Sequence, residues 1–61
     1  MYSVDYIYQD SPCRNSFLYE YEAKHYAVEL AYEGLDPLVC EFNKIIGKVQ
    51  NFGACKAFVY I

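Results

Sequence analysis

Polar and apolar residues alternate with a period of two at both ends of the chain, and a different rhythm runs between them. In residues 2–8, Tyr2, Val4, Tyr6 and Tyr8 alternate with Ser3, Asp5 and Ile7, the pattern of a strand with one buried face. In residues 54–61, Cys55, Ala57, Val59 and Ile61 alternate with Lys56, Phe58 and Tyr60, so a β-branched and aromatic strand closes the sequence. Residues 9–16, QDSPCRNS, gather the residue types that set turn dihedrals or bond their own backbone, and read as a connecting loop.

Residues 17–32, FLYEYEAKHYAVELAY, admit two readings, an amphipathic helix or two strands around a turn at 23–25. On a helix the large apolar residues scatter around the axis and leave neither a narrow apolar stripe nor a clean polar face. As strands they sort better: Tyr26, Val28, Leu30 and Tyr32 share one face, and Glu20, Glu22 and Glu29 fall on the opposite parity from the apolar set. The hairpin is the preferred reading. A helix is expected next, because Asp36 before Pro37 resembles an N-cap with proline at the first helical position. Leu38, Phe42, Ile45, Ile46 and Val49 then recur at spacings of three and four, Gly47 interrupts them, and residues 51–53 supply the stop.

The expected architecture is a single α+β domain over residues 1–61, an antiparallel β-sheet in the order β-β-β-α-β with one helix packed on one face. The helix would return the chain so that the last strand runs parallel to the third.

Charge changes this picture more than length does. The chain has 61 residues, a net charge of −3, eight Tyr and four Phe. That aromatic content excludes disorder, and the size leaves room for one small core. Residues 1–36 carry seven acids against two bases, whereas the remainder carries one acid against three bases. Five bases dispersed among eight acids argue against direct nucleic-acid binding and against an acidic membrane surface. No apolar run approaches a membrane span, and MYSVDYIYQD lacks a signal-peptide pattern, so a cytoplasmic location is expected. Cys13, Cys40 and Cys55, three at wide spacing, suit free thiols.

Catalytic chemistry has little to build on, and an enzyme is not expected. His25 is the only base for a cysteine nucleophile, and a chain this small offers little depth for a pocket that excludes water. The same four residues lack the short Cys pairs of a zinc site, and Gly34, Gly47 and Gly53 are isolated rather than gathered in a phosphate loop. No metal or cofactor is expected. On the hairpin reading, Asp5, Glu20, Glu22 and Glu29 share the sheet face opposite the helix, with Phe58 and Tyr60 beside them. If residues 17–32 were helical, those carboxylates would redistribute around an axis.

Tyrosine supplies contact area at low rotamer cost, and interspersed carboxylates steer a basic partner. The six residues are therefore the expected partner-binding set of a small acidic protein that docks on a basic surface of a larger one. In size, acidity and lack of a catalytic motif, the chain resembles small phage-encoded inhibitors such as anti-CRISPR proteins. That resemblance implies a partner with a basic nucleic-acid channel, carboxylates standing in for phosphates, and a host-cell cytoplasmic setting. The other class open to the sequence is an assembly module, a homodimer paired through the edge strand 54–61.

Overall fold

The computed structural model describes residues 1–61. The elements are β1 (Tyr2–Tyr8), β2 (Ser11–Phe17), α1 (Glu20–Tyr32), β3 (Leu38–Glu41), β4 (Lys44–Phe52) and β5 (Cys55–Tyr60). They form an α+β fold: a five-stranded sheet in the order β2-β1-β3-β4-β5, every neighbouring pair antiparallel, with α1 packed on one face. The fold class is as expected, but the element order is β-β-α-β-β-β, and three segments depart from the sequence reading.

The first is 9–16. Only Gln9 and Asp10 turn, and the rest is β2. Both turn residues take positive φ, 50° and 63°, as the two-residue turn that matches strand twist requires. The usual glycine signal for such a turn is missing, which hid the hairpin.

The second is 17–32, where the hairpin is replaced by α1. Its buried residues are Ala23, Ala27, Leu30 and Ala31. A stripe made mostly of alanine is invisible when large apolar residues are counted. Small side chains let the helix approach the sheet closely, and alanine has the highest helix propensity. Ala23 and Ala27 are fully buried against Val4 and Val39, and Tyr2, Tyr6, Phe17, Tyr26, Leu35, Ile46, Val49 and Phe58 ring this centre.

The third is the helix expected from Asp36. Pro37 instead leads into β3, and β3 and β4 join through Phe42 and Asn43, at φ 50° and 68°. A register shift opposite Val39 and Cys40 inserts Ile46 between Ile45 and Gly47. This bulge breaks the period-2 alternation of β4 and leaves spacings that imitate a helix. Gly47 is a strand residue whose missing Cβ admits the Phe58 ring, since a Cβ there would lie 2.2 Å from Phe58 Cζ.

The last strand was placed correctly along the chain, but it pairs antiparallel with β4 rather than parallel to the third strand. It lies at one edge of the sheet and β2 at the other. Its expected inward face is also reversed: Phe58 packs into the core under α1, so Lys56, Phe58 and Tyr60 lie on the helix side, and Cys55, Ala57 and Val59 on the bare side. No helix is long and apolar enough to cross a membrane.

Candidate functional site

The expected single acidic face does not form, because Asp5 belongs to the sheet and Glu20, Glu22 and Glu29 belong to α1. Asp5 projects from the bare face beside Arg14, its cross-strand partner. The Arg14 guanidinium donates to both carboxylate oxygens of Asp5, at 2.7 and 2.8 Å, and to Asn43 Oδ1 at 2.9 Å. It thus straps β2 across β1 to the β3–β4 turn. Ser3 and Cys40 lie between these anchors and are buried although they face away from the helix. The hydrogen bonds from Arg14 hold the Asp5 carboxyl below its ordinary range, while burial, first, and the neighbouring Asp5 charge raise the Cys40 thiol.

Glu20 is also engaged. Lys24, one helical turn on, donates to Glu20 Oε2 at 3.3 Å and to the Tyr60 hydroxyl at 3.2 Å, and Tyr60 donates to Glu20. Lys24 Nζ lies 5.2 Å from the ring centres of both Phe58 and Tyr60. The Tyr60 hydrogen bond, with that from Lys24, lowers the Glu20 carboxyl. So the structure brings Glu20, Phe58 and Tyr60 together, on the helix side of the sheet, as a clamp between α1 and β5.

Glu22 and Glu29 remain on the open side of the helix. The Glu22 carboxylate accepts the backbone N–H of Tyr19 at 3.3 Å, which ties down the helix start where tyrosine offers no short acceptor of its own. Glu29 lies 3.6 Å from His25 Nδ1, and both side chains are more than half exposed. Tyr21, His25, Glu29 and Glu33 follow at intervals of four and form one exposed ridge, with Glu22 adjoining it. Glu33 was missed in the sequence because the hairpin reading ended before it; on a helix its i+4 spacing from Glu29 selects it. Tyr21 stacks on Tyr19 with ring centres 5.8 Å apart, and both rings are exposed.

His25 sits on this ridge, not in a turn, and all three cysteines are free thiols: Cys40 buried, Cys13 half-buried and Cys55 exposed. The larger cavity, about 330 Å³, opens on the bare face between Ile7, Pro12 and Leu38, with Asp5, Arg14 and Asp36 at its polar side. Comparison of the chain with protein families, with curated proteins and with solved structures finds no match.

Proposed function

We propose that this chain is a small acidic binding protein, not an enzyme, and that it docks its helix ridge on a basic site of a larger protein. The observation that carries the reading is the division of the carboxylates. Arg14 and Lys24 engage Asp5 and Glu20, whereas Glu22, Glu29 and Glu33 have no lysine or arginine within ion-pair distance, Glu29 and Glu33 being exposed and Glu22 half-buried. Along the axis Glu22 and Glu29 are about 10 Å apart and Glu29 and Glu33 about 6 Å, from the rise of an α-helix. Negative charges at such intervals, flanked by the exposed Tyr19 and Tyr21, suit a positively charged groove that ordinarily holds a phosphate backbone. The concrete version is an inhibitor that competes with nucleic acid for an RNA-guided effector or a similar nucleic-acid-binding protein in the cytoplasm.

Competition tests it. A fluorescent DNA bound to such an effector should be displaced by the protein, and displacement should weaken as salt is raised. The triple variant Glu22→Gln, Glu29→Gln, Glu33→Gln should fail to displace it while its helical circular dichroism is kept, since glutamine at position 22 can still accept the Tyr19 N–H. Undiminished displacement by the triple variant would overturn the reading.

A further inference from the structure

The two edges of the sheet differ in which backbone groups they leave outward. In an antiparallel ladder, residues of a hydrogen-bonded pair aim both backbone groups at the neighbour, and those of the alternate pairs aim them away. On β5 the parity is fixed twice. The Ile61 N–H bonds the Ile46 carbonyl at 3.0 Å, so the odd residues of β5 face β4. The Lys56 N–H points away from β4 and donates to the Tyr32 hydroxyl at 2.9 Å. Phe58 and Tyr60 share the parity of Lys56, and α1 supplies no acceptor to their N–H groups. They leave an open two-residue row.

We propose that this row is the pairing edge for a second copy of the chain, with β5 lying antiparallel to β5 of the other copy about a two-fold axis through Val59. The register follows from complementarity. With Val59 opposite Val59 of the second copy, Phe58 and Tyr60 each oppose the other, their four outward backbone groups per copy face matching groups, and the Lys56–Tyr32 bond is left intact. On the bare face Ala57 opposes Ile61, so apolar meets apolar, and on the helix side aromatic meets aromatic. Lys56, the only charge on β5, lies outside the paired stretch. Shifting the axis toward residue 56 draws the two lysines together and requires the Tyr32 hydroxyl to leave. A two-fold axis normal to the sheet keeps both helices on one face of a ten-stranded sheet. This pairing does not rest on the binding role proposed above.

The experiment reads oligomeric state and register separately. Size-exclusion chromatography with light scattering should show the wild-type chain moving from monomer to dimer as concentration rises. Val59→Glu, which places like charges across the axis but faces Lys48 within its own chain, should be monomeric, and mixing it with Val59→Lys should restore a dimer. In a background with Cys13→Ser and Cys55→Ser, Val59→Cys should form an intermolecular disulfide under mild oxidation, because directly opposed Cα atoms of such a pair lie about 4.5 Å apart. Ala57→Cys should not. A chain monomeric at every concentration without the Val59→Cys disulfide would overturn the proposal, as would a dimer that Val59→Glu leaves unchanged.

Discussion

Edge strands β2 and β5 bound the same sheet, and each interrupts its outward row of backbone groups by a different means. On β2 the outward positions are Pro12, Arg14 and Ser16, by the parity that the two-residue turn at Gln9 and Asp10 imposes. Proline has no N–H to offer, so the outward row of β2 is broken at Pro12, while the Arg14 side chain leans inward over β1 to Asp5 and Asn43. On β5 the outward positions are Lys56, Phe58 and Tyr60, and only the first is capped, by Tyr32. The edge interrupted within its own sequence tolerates a polar, exposed strand. The edge interrupted by a side chain from the helix is interrupted over one residue.

The largest effect on this comparison is expected from Gly47→Ala. A Cβ at residue 47 would lie 2.2 Å from the Phe58 ring and 2.6 Å from the Val59 carbonyl oxygen. The ring is packed in the core and the oxygen belongs to the backbone, so β5 itself must shift. Urea unfolding should show a loss of about 1–3 kcal/mol, the range for overpacking. Hydrogen exchange should locate the damage: β5 amides lose protection first, while the β1–β2 pairs keep theirs. Equal loss at both edges would mean that Gly47 serves the whole fold rather than the β5 edge.

Glycine 47 also shows what was legible in the sequence. In the sequence Gly47 is only an interruption of apolar positions; that it admits the Phe58 ring was not legible, because the bulge at Ile46 disguises β4 as a helix. The two terminal strands were legible because alternation is a local signal. The first two hairpins were not, since their turns use Gln9–Asp10 and Phe42–Asn43 rather than glycine, and their stability comes from pairings distant along the chain. Helix α1 was missed because its buried face is alanine. The candidate site inherited these errors: the single face expected for Asp5, Glu20, Glu22 and Glu29 is divided between sheet and helix, Asp5 and Glu20 are paired with bases, and Glu33 joins Glu29 on one ridge only because the segment is helical. Glu20, Phe58 and Tyr60 lie together, but on the helix side and as a clamp within the fold rather than on an open face, because both the parity of β5 and the segment carrying Glu20 differ from the expectation.

A smaller effect is expected at the β2 edge, through pH. The Arg14 hydrogen bonds lower the Asp5 carboxyl in the folded state. A lowered carboxyl contributes stability that is fully present above its unfolded value, about 4, and is lost as pH falls through the folded value. The urea midpoint should therefore decline on acidification below about pH 4, and Asp5→Asn should start lower at neutral pH and decline less. Exchange protection of the β2 amides should follow the same curve, because the strap from Arg14 to Asn43 loses its central anchor when Asp5 is protonated. Parallel acid limbs for Asp5→Asn and wild type would show that the ion pair, whose arginine is half exposed, contributes nothing measurable.

The smallest effect, and the one that separates the two edges most directly, belongs to Tyr32→Phe. The substitution removes one hydroxyl and nothing else, so an exposed hydrogen bond is lost at a cost of about 0.5 kcal/mol. Its consequence lies in pairing. With the Lys56 N–H released, β5 presents three outward residues in a row, and the two-fold axis is free to move from Val59 toward Phe58. The dimer fraction should stay equal or rise, while the yield of the Val59→Cys disulfide should fall as the added register competes. The positive charge of Lys56 remains and opposes registers that shift further. A disulfide yield equal to that of the chain with Tyr32 intact would show that the hydroxyl satisfies the Lys56 amide without selecting the register, and the difference between the edges would then rest on Pro12 alone.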